Sequence, residues 1–581
     1  MTSRSLLPEK QRPESSRWWA ACISPFLLAF ALTGGCSDDA TTEASSAGDD
    51  SGRPFVFTDV TSDSGVAMQT VSGGTPSTQI LEVKGGGLAL IDFDGDGDRD
   101  LFVPNGATLS DPESGPGARL FRNDGELQFT DVTEASGITH TRWSFGTAVG
   151  DVDADGFDDI FIACFGPDVM LRNRGDGTFE DVSAERGVGD EGWATSAAFG
   201  DLDQDGDLDL FVTRYVDFDA TRPVPPARFK GIEVVNGPRG LESLSDLFYE
   251  NQGDGTFRVH GPGDPLGDLL PSYGLNVAIL DMDGDGLVDV LVGNDSQAND
   301  LYLNRTTEGD RPTFKESGLM SGLAHDLNGY DQATMGMAVA DVDGDGAPDV
   351  FSSNFSSDSN TMHVSTGSGF FDDRTRQFGL ALVSRPFLGW ASGFFDFDHD
   401  GDEDLFIVNG HVYPQATRAT MDSEYEQPIL LMERDGDRFR RVEPDGAIGR
   451  PHRDRSAVFD DLDGDGDVDV IVSELNGPVR VLRNDLNRSG WLQVLLSDRR
   501  PGVGNRHGVG AVVRLESGDW SATRWVSGGG PFQSNWSPVL HFGLPDRFDR
   551  GTLTVRWQDG FEERLEVEPD RLVRVVRSDQ D

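Results

Sequence analysis

Asp92, Phe93, Asp94, Gly95, Asp96, Gly97, Asp98, Arg99, Asp100: this nonapeptide, with aspartate at its first, third, fifth and ninth places and glycine at its sixth, decides the reading of the chain. The same pattern begins again at Asp151, Asp201, Asp281, Asp341, Asp396 and Asp461. Seven copies, 50 to 80 residues apart, leave each interval room for one small antiparallel sheet of four strands with its turns.

The nonapeptide has the chemistry of a hard-cation loop. Carboxylates at the first, third and fifth places point inward from one tight turn, the glycine lets the backbone reverse, the seventh residue offers its carbonyl, and the ninth closes the shell. The predicted ligands are Asp92, Asp94, Asp96 and Asp100, with the carbonyl of Asp98, in the first loop. In the next three they are Asp151, Asp153, Asp155 and Asp159; Asp201, Asp203, Asp205 and Asp209; and Asp281, Asp283, Asp285 and Asp289. The last three offer Asp341, Asp343, Asp345 and Asp349; Asp396, Asp398, Asp400 and Asp404; and Asp461, Asp463, Asp465 and Asp469. An all-oxygen donor set suits calcium, at up to seven sites, better than zinc, which wants Cys or His, or magnesium, which keeps its waters. Carboxylates so close together raise one another's pKa, so the loops are electrostatically unfinished without a cation. The second loop, with Ala154 and Phe157, and the sixth, with His399 and Glu403, depart most from the pattern.

Working outward, small and apolar residues precede each loop, as in Phe145 to Gly150, and a β-rich run such as Leu210 to Thr213 follows it. A second signature, Leu171, Arg172, Asn173, then Gly175 to Val182, recurs near Leu247 to Phe257 and supplies the glycines of a tight β-turn. Four strands per repeat and seven repeats predict an all-β fold: a seven-bladed β-propeller with a small C-terminal β domain. The last repeat lacks its final strand after Asn484, whereas the chain begins with Phe55, Val56, Phe57, Thr58, Asp59, Val60, Thr61, which matches the missing piece. An N-terminal strand that completes the last blade would clasp the ring.

The loops and their Phe-Gly-x-Ala approaches resemble the FG-GAP or VCBS repeats of the integrin-alpha type propeller over residues 54–487. That resemblance implies calcium in the Asp loops and recognition of other proteins by the propeller. Residues 488–578 differ in composition, and from Arg488 onward there are 13 Arg and no Lys against 13 Asp and Glu. They resemble the ASPIC/UnbV module through Asn505 to Ala511, Phe532, Gln533 and Ser534, Leu540 to Leu544, and Val555, Arg556 and Trp557. Gly528, Gly529, Gly530 and Pro531 stand where that module carries an aromatic-bearing turn. The pairing of propeller and module resembles bacterial relatives of cartilage acidic protein.

The charge balance, 101 Asp and Glu against 48 Lys and Arg in 581 residues, disfavours nucleic acid and anionic membrane as partners. Residues 1–36 read as a signal peptide of lipoprotein type with Cys36 as the lipidated residue, although the Leu expected three places before the cysteine is here four before it, at Leu32. Residues 37–53, rich in Ser, Thr, Ala, Asp and Gly, read as a flexible linker. An exported protein of the cell envelope or the extracellular space is expected, touching membrane only through the N-terminal lipid.

No His-Glu-x-x-His, Gly-x-Ser-x-Gly or Walker loop is present, and seven equivalent loops do not make the single exceptional site that catalysis needs. The expectation is therefore a non-enzymatic, calcium-binding recognition or adhesion module with an unknown protein or polysaccharide partner at the cell surface. The alternative is a hydrolase or lyase with its site in the propeller funnel. His411, His507 and His541 read as structural or partner-contact residues. The long interval from Asp201 to Asp281 holds Arg222, Arg228, Lys230 and Arg239 among prolines, which marks it as a candidate partner surface.

Overall fold

A computed structural model describes residues 57–261, 269–307, 311–443, 446–486 and 488–578. The signal and linker expected over 1–53, with Cys36, lie outside these residues, as do Phe55 and Val56 of the proposed clasp.

Among the described residues each acidic nonapeptide joins the first two strands of an antiparallel sheet; six of these seven sheets have four strands, and the fourth is extended to six by Gln332–Ala333 and Gly528–Gly529. The pairs run from Ala89–Ile91 into Asp100–Val103, Ser144–Gly150 into Asp159–Cys164, Ala194–Gly200 into Asp209–Arg214, and Gly274–Leu280 into Asp289–Gln297. They continue with Met337–Ala340 into Asp349–Ser352, Gly389–Phe395 into Asp404–Asn409, and Asp454–Asp460 into Asp469–Glu474. The register never changes: the residue before the loop pairs with its ninth residue, from Ile91 with Asp100 through to Asp460 with Asp469. A register fixed in this way gives all seven loops the same two anchor points.

The sheets close into a ring. Apolar side chains of each sheet pack on the next, beginning with Ile91 and Phe102 against Ile160 and Ile162, and Val458 and Ile471 of the seventh pack on Leu90 and Leu101 of the first. The first strands are small-residue strands because they approach at backbone distance: a Cβ added to Gly146 would lie 2.6 Å from the Thr195 carbonyl oxygen. A polar stitch repeats on top of this packing. The side-chain amides of Asn123, Asn173, Asn251, Asn304 and Asn484 each donate to the carbonyl of the second loop residue in the preceding sheet: Leu462, Phe93, Val152, Leu202 and Phe397. Asn123 thereby ties the first sheet to the seventh. The clasp also forms, since Phe57–Asp59 pairs with Val479–Asn484 and the Phe57 ring sits edge-on to Phe397 and Phe406 at 5.5 and 5.7 Å.

The C-terminal residues form two further sheets around one core. Trp491–Asp498 lies between Val539–Gly543 and Arg571–Arg577, and Val512–Ser517 lies between Trp520–Trp525 and Gly551–Arg556, with Glu562–Val567 at the edge. Leu492, Val494, Leu515, Phe542, Leu553 and Val555 are buried between them. A loop of this module enters the ring. Gly528–Gly529 pairs with Ala278 and Ile279, and Phe532 and Gln533 are fully buried, with the Phe532 ring 4.8 Å from that of Trp390. Here the run of glycines finds its reason, because a Cβ on Gly528 or Gly529 would lie 2.0 or 2.2 Å from a propeller carbonyl oxygen. An aromatic turn would not fit.

A second segment crosses the ring, formed by the long interval between the third and fourth loops. Its hairpin, Ala227–Phe229 with Ile232–Val234, follows Val224, whose backbone N–H and carbonyl both bond the Gln79 amide. Phe229 packs on Phe355 and Tyr413. Lys230 donates to the Met421 carbonyl at 2.8 Å and the Asp422 carboxylate at 3.0 Å. Lys230 is thus bonded to its own chain, while the exposed Arg222 and Arg228 pair with Asp219 and Glu233. Among the buried core residues lie Lys84, 3.0 Å from Asp295, and Arg455, stacked 4.2 Å over Trp390.

Candidate metal centres and the module that covers them

Backbone geometry, more than side chains, makes the loops alike. The sixth residue is left-handed in all seven, and so is the fourth, even where it is Ala154, Gln204 or His399, at φ of 53°, 64° and 55°. With the chain curled twice, the first carboxylate accepts backbone N–H bonds from inside its own loop: Asp151 from Asp155 and Gly156, Asp281 from Gly284 and Gly286, Asp461 from Gly464 and Gly466. Oxygens of the first, third and fifth residues then converge. Those of Asp92, Asp94 and Asp96 lie within 4.8 Å of one another, as do those of Asp151, Asp153 and Asp155, of Asp201, Asp203 and Asp205, and of Asp281, Asp283 and Asp285. This spacing and all-oxygen donor set fit a hard divalent cation.

The ninth aspartate has a second task that the sequence reading missed. One of its oxygens accepts the N–H of the second loop residue and the other the N–H of a third-strand residue: Phe93 and Asn123 for Asp100, Met282 and Asn304 for Asp289, Leu462 and Asn484 for Asp469. It braces loop to sheet while its remaining lone pairs stay available to a cation. Burial pushes its pKa up, against those donors and with the neighbouring aspartates, to about 8 for Asp100, Asp159 and Asp289 and about 7 for Asp349.

The loops are unequal in their counter-charges. Arg172 meets Asp153 and Asp155 at 2.8 Å each, and Arg186 meets Asp153 at 2.6 Å. Arg305 holds Asp283 and Asp285, and Arg374 reaches Asp343 at 3.3 Å. In the first and seventh loops the matching arginines turn away, Arg122 to Asp124 and Arg483 to Asp485. Guanidinium groups compete with a cation for the same oxygens, so the second and fourth loops are the more self-neutralised.

All seven loops meet the C-terminal module, which sequence reading did not anticipate. Arg574 lies against Gly97 of the first loop, its guanidinium 3.2 Å from where a Cβ would stand. Arg506 donates to the Gly156 carbonyl and approaches Asp151 at 3.7 Å, while His507 bonds Asp158 at 3.0 Å. The backbone N–H groups of Gly504 and Asn505 donate to Gly206, and Gln558 donates to the Asp201 carbonyl. Arg556 is 3.7 Å from Asp281, and Thr523 and Arg514 flank Gly346. The Trp520 indole N–H donates to Gly401 at 2.9 Å, and Arg524 pairs with Glu403. His541 meets the Gly466 carbonyl at 2.9 Å, and Gln493 donates to Asp461 at 2.8 Å. The residues that mark the module in sequence, Arg506, His507, Phe532, Gln533, His541 and Arg556, are thus its docking residues. Segregated charge was the signal: the acidic excess lies upstream of Arg488, and from there on arginines and acids balance.

Comparison with known proteins agrees with this division. The FG-GAP-like repeat family matches residues 92–162, 151–212, 281–352 and 341–407, and the ASPIC and UnbV family matches residues 502–581. Human cartilage acidic protein 1 is 25% identical over 347 residues, 57% of this chain and 41% of that protein. Its Xenopus tropicalis counterpart is 25% identical over 334 residues, 56% of this chain and 47% of that protein. The matched region spans less than half the length of either relative. A solved structure of an Agrocybe aegerita lectin, which recognises non-reducing terminal N-acetylglucosamine, is 17% identical with a TM-score of 0.34, covering 64% of this chain and 89% of that one.

Proposed function

We propose that this chain, which carries FG-GAP-like repeats and an ASPIC and UnbV domain and is homologous at low identity to cartilage acidic protein 1, is an exported, non-enzymatic recognition module that calcium holds rigid. The observation that carries the reading is the repetition of one loop geometry seven times, each loop meeting the same covering module. Calcium would be held by the first, third and fifth carboxylates and supply the positive charge that these clusters lack; the ninth carboxylate would join them without leaving its two N–H donors.

The enzyme alternative needs an open funnel with unpaired carboxylates. Against it, the module's loop buries Phe532 and Gln533 inside the ring, the hairpin with Phe229 and Lys230 crosses toward Tyr413 and Met421, and the buried Asp295 is held by Lys84 and the Tyr215 hydroxyl. The partner, protein or polysaccharide, would meet the outer surface.

Two measurements test the proposal. Elemental analysis of protein purified without chelator should find several calcium ions per chain. Capture of surface partners should fall when calcium is removed and return when it is restored. A metal-free protein with undiminished capture would overturn it.

A further inference from the structure

Between the first two acidic loops and the module lies a hollow of about 400 Å³. Its walls hold four arginines, Arg99 from the first loop and Arg499, Arg506 and Arg574 from the module. Arg99 is the unusual one. It is only 6% exposed, and its Nε has no hydrogen-bond partner. Among the described residues no carboxylate oxygen lies within 4 Å of its guanidinium: the buried Asp158 and Asp460 feel its charge, but their hydrogen bonds come from His507 and Ser537. Arg574 has no carboxylate partner among the described residues either, and Arg499 reaches only the Ser497 hydroxyl at 3.4 Å. In a chain with 101 carboxylate side chains and 48 Lys and Arg, a carboxylate was available to any buried guanidinium that needed one. Burying a guanidinium that donates no hydrogen bond is costly, so a group left in this state beside a hollow is complementary to something that enters it. A planar guanidinium presents paired N–H donors that match an oxyanion.

We infer that this hollow is a binding site for a tetrahedral oxyanion, a sulfate or phosphate group, with Arg99 at its floor and Arg499 and Arg574 at its mouth. The inference rests on the calcium reading for its charge balance, because Asp92 and Asp96 also line the hollow and a divalent ion in the first loop would cancel their repulsion. With them neutralised, four guanidinium groups face Asp158, which His507 already engages. Metal loading of the first loop and anion binding are then linked, each favouring the other.

Titration calorimetry tests the site on the full chain at a fixed ionic strength near 0.15 M, where exposed charges are screened beyond about 8 Å. Calcium is titrated first, then sodium sulfate in calcium and in chelator, then a monosulfated disaccharide in calcium. Saturable sulfate binding at one site is expected, weakened about tenfold or more by the exposed pair R499A/R574A and abolished by R99Q. Sulfate heats that do not saturate, or that R499A/R574A leaves unchanged, overturn the site even where calcium binds normally, and they do so whether or not R99Q folds. Sulfate binding in chelator without any calcium heat would keep the anion site and remove the calcium reading instead. A disaccharide that binds tighter than the free ion assigns the site to a sulfated glycan; equal affinity assigns it to the inorganic ion.

Discussion

The contact most open to a single-atom test is at Gly87, where an added Cβ would lie 1.7 Å from the Gln533 carbonyl oxygen and 2.5 Å from its carbon. Neither atom is the end of a flexible side chain, so Gly87→Ala must push the entering loop out of the ring. What is then at risk can be summed. Four of the hydrogen bonds that fasten the loop flank Gln533: Thr147 N–H to Gln533, Asn535 N–H to Leu88, Ser456 hydroxyl to Phe532, and Leu88 N–H to the Ser534 hydroxyl. At about 1 kcal/mol net each they come to roughly 4 kcal/mol, and exposing the buried Phe532 ring adds about 2 to 3 kcal/mol. Losing these contacts would therefore cost about 6 to 7 kcal/mol, with partial relaxation giving less. Thermal unfolding and limited proteolysis of the module read the effect. The control is Gly237→Ala, where nothing lies within 4 Å of the added carbon. Should G87A melt with the control and keep the same proteolytic pattern, the loop does not fasten the module to the ring.

Removing calcium should lower the melting temperature, since binding to the native state alone contributes about 2.7 kcal/mol per site at one hundred times Kd; an unchanged melt in chelator refutes it. For the metal-free protein the sign with pH is fixed by the raised carboxyls. Asp100 and Asp289, at about 8 in the fold and about 4 in the unfolded chain, favour folding at acid pH and lose that contribution as pH rises toward 8, so stability should fall between pH 5 and 8. Calcium should flatten that slope. Arg172→Gln, by freeing Asp155 and leaving Asp153 to Arg186 alone, should raise calcium affinity at the second loop, read as an added or tightened site by calorimetry. Phe57→Ala should cost about 3 to 5 kcal/mol by emptying the place the clasp fills, and an unaltered melt would show that the pairing with Val479–Asn484 is dispensable.

The repeat was legible because its signal is local: an aspartate pattern fixes a turn, and a turn of fixed register fixes two strands. The clasp was legible for a related reason, since Phe57, Thr58 and Asp59 spell the strand that the last repeat lacks. What the sequence hid was relational. Asn173 in Leu171, Arg172, Asn173 looked like turn chemistry, yet its amide reaches Phe93 in another sheet. The covering of the loops was hidden because the partners lie far apart in sequence: Arg506 and Gly156 are neighbours only once the ring has closed. The Lys230 contact was hidden for the same reason, its Asp422 partner arriving from the sixth repeat.

The covering module has no sevenfold repeat of its own, and that mismatch fixes the fate of each blade. No two loops are addressed by the same residue, and the groups differ in kind: a guanidinium at Gly156, a pair of backbone N–H groups at Gly206, an indole at Gly401, an imidazole at Gly466. The eighth loop residue varies accordingly, with Asp158 beneath His507 and Glu403 beneath Arg524, while Leu208 and Val288 stand where no charge waits. Blades that share one backbone are therefore not exchangeable. A ring of copied repeats would gain or lose a member easily if nothing covered it; beneath a single asymmetric cap, each copy acquires an address, and rotation by one blade would set Arg524 over a hydrophobic residue and leave Glu403 without its cation.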